Sequence, residues 1–233
     1  MKIKIQIIFF LFFFTINLFA ENLIIEAKNI SLDIDGKTSI FNNEVIITTN
    51  EKIIKSDYVK YNKETGYLII KDNVIAIDKM QNTLTTEYAE YYEKEKVFKS
   101  KGLTKFVTSN QYILEGNDIM FDNKNKIINS KKKSKLLDQD KNEIYLENFE
   151  YLIEQNIFKS IGNIKIIDTK NNNFEFSQIY INTQNKEILG SDIKAYMNDQ
   201  DFKINQKNKP RIFANNLELN KEKNIFHKGI FTL

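Results

Sequence analysis

Apolar and polar residues alternate along short stretches of this chain, and the alternation itself returns every 30 residues. Val59, Ala89, Ile119, Phe149 and Ile179 stand at equal intervals, and Leu217 extends the series after a step of 38. Two positions later runs a second column, through Tyr61, Tyr91, Phe121, Tyr151, Ile181 and Leu219. A third passes through Leu68, Phe98, Ile128, Phe158, Ile188 and Phe226. Columns in phase mean that every unit turns its apolar side to the same place in the fold. A period of this size marks a stacked architecture, in which one unit cannot bury its own face and its neighbours complete the core.

Within a unit the period is two. Asp57-Tyr58-Val59-Lys60-Tyr61 puts Val59 and Tyr61 on one face and Lys60 on the other, the signature of a half-buried strand. A polar turn follows, Asn62 to Gly66, and then a second apolar run, Tyr67 to Ile70. A third strand is expected after a Gly or Asn turn, at Asn73–Ile77, Gly102–Val107 and Gly162–Ile167. Taken alone, Glu87 to Lys99 is rich in helix formers. Its counterpart Ile179 to Lys186 is β-branched around a polar turn and would make a poor helix, so one conformation for all units means strand. The fold class is therefore all-β. The 38-residue step implies about eight extra residues in one loop, placed at Asp199 to Arg211.

The first 20 residues stand apart. Lys2 and Lys4 precede an apolar stretch from Ile5 to Phe19 that ends at Ala20 and is short of a membrane span, the form of a secretory signal peptide cleaved after Ala20, with a retained anchor as the alternative. Residues 21–233 then form one continuous repeat domain. The chain has 34 basic and 31 acidic residues, two of the basic ones in the leader, so no basic face argues for nucleic acid. Cysteine is absent, which excludes disulfides and thiolate metal sites, and export without disulfides is compatible with a bacterial periplasm.

No catalytic constellation stands out, and no metal or cofactor is expected. The single His, His227, falls where other units carry Ile69, Lys99, Asn129, Lys159 and Leu189, a tolerant rim position. Asp57, Glu87 and Glu147 share a column with Asn117 and Ser177 and read as a solvated edge. Lys131, Lys132, Lys133 and Lys135 form the one basic run; they could attract phosphates, but a charged surface turn suits them better. The apolar columns are the sharpest signal, either as a core or as a groove lined for a flexible apolar ligand.

The units also resemble a known family. Ser56-Asp57-Tyr58-Val59-Lys60-Tyr61-Asn62 and Thr86-Glu87-Tyr88-Ala89-Glu90-Tyr91 are the best matches to the OstA-like repeats of the lipopolysaccharide transport proteins LptA and LptC and of the LptD N-terminal domain. Asn117 to Asp122 and Asn215 to Asn220 are weaker copies, and Lys71-Asp72-Asn73-Val74 and Lys99 to Thr104 fit the turn-to-strand element. The resemblance implies a V-shaped, open β-jellyroll (a β-taco). Its interior, lined here by Val59, Tyr61, Ala89, Tyr91, Ile119, Phe121, Phe149, Tyr151, Ile179, Ile181, Leu217 and Leu219, would shield lipid A acyl chains of lipopolysaccharide in the periplasm. It also implies edge-strand stacking on LptA-, LptC- or LptD-type jellyroll domains, through Leu23 to Asp33 at one end and Asn224 to Leu233 at the other. The many Tyr and Phe look more like LptD, which would associate the chain with the outer membrane, either as a piece of such a protein or as a separate periplasmic domain. Two other classes fit the period: a closed β-solenoid acting as an adhesin or on carbohydrate, and a purely structural scaffold.

Overall fold

The chain builds a single antiparallel meander, in which each long strand, whole or split into two halves, pairs with the one before it. The computed structural model describes residues 23–34, 36–198, 211–219 and 224–232. The expected leader and nearly all of the expected 199–211 insertion lie outside these residues. The first six strands are β1 (Ile24–Glu26), β2 (Asn29–Leu32), β3 (Thr38–Thr48), β4 (Lys52–Asn62), β5 (Tyr67–Asp78) and β6 (Thr83–Tyr92). The middle of the sheet is made of shorter pieces: β7 (Val97–Ser100), β8 (Leu103–Val107), β9 (Ile113–Asn117), β10 (Met120–Asp122), β11 (Ile127–Ser130), β12 (Ser134–Leu137), β13 (Glu143–Leu146) and β14 (Phe149–Leu152). Then come β15 (Ile157–Ile167), β16 (Asn173–Asn182), β17 (Glu187–Tyr196), β18 (Arg211–Leu219), β19 (Asn224–His227) and β20 (Ile230–Thr232). Glu87 to Lys99, the helix-prone stretch, is two strands and a turn.

Each long strand bends at its middle. Register shifts lie between Lys55 and Tyr58, Lys71 and Val74, and Ile161 and Ile164. In the central units the bend is sharp enough to split the strand, as between β7 and β8 or β9 and β10. The bends make one line across the sheet, and the sheet folds over along it into two facing half-sheets. Here the expected third strand is corrected. Asn73 and Gly162 do not open a turn into a new strand but lie inside β5 and β15. Their positive φ angles, like those of Asp72 and Gly102, bulge the chain without reversing it. Insertion of one residue shifts strand parity, which is why Ile54 and Ser56 before the bend and Val59 after it all point inward.

Between the half-sheets runs one core, from Phe41 and Val45 to Ala214 and Leu217. Among the described residues, β1 and β2 pair only with β3, and β19 and β20 only with β18, so the described ends of the meander do not pair with each other. In backbone terms the jellyroll is open.

Candidate functional site

Ten of the twelve column residues are buried inside this fold: Val59, Ala89, Tyr91, Ile119, Phe121, Phe149, Tyr151, Ile179, Ile181 and Leu217. Tyr61 and Leu219 only pack against the core from its rim. Tyr61 donates its hydroxyl proton to Glu93 Oε2 at 2.9 Å. Leu68, Phe98, Ile128 and Phe158 of the third column are also buried, and Ile188 is half-buried. The opposite half-sheet contributes Ile54, Leu84, Phe106, Leu114, Leu136 and Ile144, all buried. The halves touch: the rings of Phe106 and Tyr151 are 5.7 Å apart, and Tyr151 stacks on Phe158 at 4.4 Å. The columns thus line a continuous apolar interior, and in this state side chains fill it.

One charge penetrates that interior. Lys52 is 3% exposed, and its Nζ lies 3.8 Å from the centre of the Phe121 ring and 5.7 Å from those of Tyr91 and Phe98. Burial also pushes the Tyr112 hydroxyl far above its usual range, reinforced by Asp138 and Asp140, and raises that of Tyr151.

The free rims of the two half-sheets, each a row of turns, meet through side chains. Lys126 Nζ donates to Glu51 Oε2 at 2.6 Å. Lys186 Nζ reaches both Asp140 oxygens at 3.0 and 3.1 Å. Asn110 Nδ2 donates to Thr183 Oγ1 at 3.2 Å. These contacts join residues 46 to 75 positions apart, so each of these turns faces one three or five turns further along the chain. They form a polar clasp along the mouth of the V.

Sequence reasoning missed the residues that make this shape. At the fold-over line a row of small residues occupies the inside: Ser100, Ser130, Ser160 and Gly190, spaced by 30. Ser130 Oγ donates to Asn117 O at 2.8 Å and Ser160 Oγ to Asn148 O at 2.6 Å, satisfying carbonyls that the bends release from the ladder. Asp78, Asp138 and Asp168 form another 30-residue column, each accepting two backbone N–H groups and an Asn amide in its own turn. The 30-residue spacing of these polar residues is the signal in the sequence that marks them. The column expected as a solvated edge sits on this same line: Asp57, Glu87 and Asn117 are exposed there, whereas Glu147 and Ser177 are half-buried, and Asn73 Nδ2 donates to Asp57 Oδ2 at 2.7 Å.

Outside, Lys132 and Lys133 pair with Asp118 and Glu147 and are exposed, as expected of a solvated run. His227 is exposed at the end of β19. Glu90 faces outward yet is covered by Tyr88, Tyr92 and Lys101, which bond to it. Among the described residues, no group of three or more His, Cys, Asp or Glu is placed to hold a metal, and no helix is long and apolar enough to cross a membrane.

No known protein-family profile and no curated protein matches the chain. Among solved structures it is similar to LptH of Pseudomonas aeruginosa, described as the LptA homologous periplasmic component of the conserved lipopolysaccharide transport device. The identity is 12% and the TM-score 0.21, over 73% of this chain and 82% of that one.

Proposed function

We propose that this protein is an exported, periplasmic carrier of lipopolysaccharide, with the lipid A acyl chains taken up between its two half-sheets and passed along toward the outer membrane. One observation carries the reading: a single apolar interior runs the length of a sheet whose free rims, among the described residues, are joined by polar side chains. Such a mouth can part without breaking a backbone ladder. Each CH₂ group moved from water into the interior gains about 0.8 kcal/mol, so an acyl chain can offset the loss of contacts between the half-sheets. The OstA-like repeat units supply the family, and the exposed apolar residues Ile24, Ile30, Leu32 and Ile230 on the end strands suit edge pairing with jellyroll domains of LptA, LptC or LptD type. No step of covalent chemistry enters this mechanism.

The test places a photo-crosslinking residue at Ile119 or Phe149, and in controls at Lys60 or Lys165 on the outer face, in cells that make lipopolysaccharide. Capture from the first pair alone is the expected result. Equal capture from the controls, or none from Ile119 and Phe149, would favour a scaffold that never holds lipid.

A further inference from the structure

The clasp is most heavily charged at one point. Glu51 sits in the turn between β3 and β4, and Lys126 binds its carboxylate directly. Lys79 and Lys96 add their charges from two other turns. Together they hold the Glu51 carboxyl below its usual range, the Lys126 hydrogen bond being the largest cause. Four turns, distant in sequence, thus converge on one anion, and that anion belongs to the protein itself.

Behind this cluster lies a cavity of about 210 Å³ between the rims, with Phe121 and Ile153 among its walls. Asn123 also lines it, 4% exposed, and neither its amide nitrogen nor its amide oxygen has a hydrogen-bond partner among the described residues. An unpaired buried amide is costly and wants a polar visitor. Asp78 faces the same cavity, but its carboxylate is engaged by the N–H groups of Met80 and Asn82. Glu154 is a further carboxylate in the lining, opposite in sign to Lys79 and Lys126. From outside inward, the site runs from cations, to an amide, to the core residue Phe121.

We propose that this cavity is the port by which an anionic amphiphile enters, its head group replacing the Glu51 carboxylate on Lys126 and its alkyl chain passing Phe121 and Ile153 into the interior. The port rests on the reading of the interior as a site for apolar chains. Glu51 then acts as a built-in competitor that keeps the mouth shut while no amphiphile is present.

Dodecyl phosphate, dodecyl maltoside and dodecyltrimethylammonium, each below its micellar concentration, separate the charge requirement from the apolar one. In calorimetric titrations of the whole chain, Glu51→Gln should tighten binding of dodecyl phosphate roughly five-fold, and Lys126→Gln should weaken it by a similar factor, the scale of one partly exposed ion pair. The maltoside should bind both variants alike. Identical affinities for the phosphate in both variants and the parent chain would overturn the port, as would equal shifts for all three detergents. Because the chain has no cysteine, Glu51→Cys combined with Lys126→Cys can lock the mouth when both thiols are joined through disulfides to a short bis-methanethiosulfonate spacer that covers the span of the two lost side chains. This oxidised form should lose uptake of dodecyl phosphate and reduction restore it. Undiminished uptake by the oxidised form would also overturn the proposal. If crosslinking at Ile119 captures no alkyl chain while the two charge variants still differ, the interior reading falls and the head-group site stands. If Ile119 captures chains whatever stands at positions 51 and 126, the port falls and the interior reading stands.

Discussion

Small side chains decide whether the sheet can fold over. Gly116 lies on the inner side of the bend, where a Cβ would come within 2.6 Å of Ser134 Oγ. Gly116→Ala should therefore cost about 1–3 kcal/mol in chemical denaturation, as overpacking of a filled interior does. Ser134→Gly should relieve it, giving a coupling of about 1 kcal/mol in a double-mutant cycle; additive effects would mean that the space is not shared. At the rim, burial followed by the Glu93 hydrogen bond pushes the Tyr61 hydroxyl up to about 12 from an ordinary 10. A raised value on an acid favours the neutral form. Its contribution to stability is thus full below pH 10 and lost as the pH rises through about 12. Tyrosinate absorbance should show one group titrating near pH 12 that is missing from Tyr61→Phe.

Turns and bends, more than strands, carry the individuality of each element. Left-handed residues recur at matched points in one row of turns, from Gly66 through Lys96, Lys126, Asn156 and Lys186, and in the other at Gln81, Gln111, Lys141 and Asn171. Most of these are neither Gly nor Asn, so their neighbours must hold them there. The Asp columns do part of that work. Asp138 accepts the N–H groups of Asp140 and Asn142 and the Asn142 side-chain amide, and Asn142 Oδ1 then accepts from Thr169 N in the next turn. Asp138→Ala should lower stability by about 1–3 kcal/mol and speed hydrogen exchange at Asp140, Asn142 and Thr169. Exchange confined to the first two amides would show that the turns are not linked.

Across the whole molecule, strands contact mainly their sequence neighbours, as in other stacked-repeat proteins. Deleting residues 93–122 joins Tyr92 to Asn123 and preserves the phase of turns, bends and columns. The shortened protein should keep its strand content by circular dichroism and unfold in one transition, with a lower denaturant midpoint. Deleting residues 93–107, half that length, reverses the direction of all later strands and should abolish cooperative unfolding. Equal tolerance of both deletions would remove the repeat as the organising unit.

The sequence by itself determined the period, the strands and the inward face, because each follows from a local rule: side chains alternate along a strand, and equivalent units must present equivalent faces. Val59, Ala89 and Ile119 were therefore legible as interior positions before any coordinates. The end strands were legible too, from their place in the order of units. The sequence could not show that Asn73 and Gly162 bend a strand instead of ending it, because the same left-handed residue serves both purposes and only the pairing partner distinguishes them. Nor could it show which turns meet at the mouth. Glu51 finds Lys126, and Asp140 finds Lys186, only after a folded and twisted sheet has brought distant hairpins face to face. Whether the columns enclose a filled interior or a trough also belongs to the tertiary structure. A column states which way its residues point, and only the opposite half-sheet, with Phe106 against Tyr151, fixes what they touch.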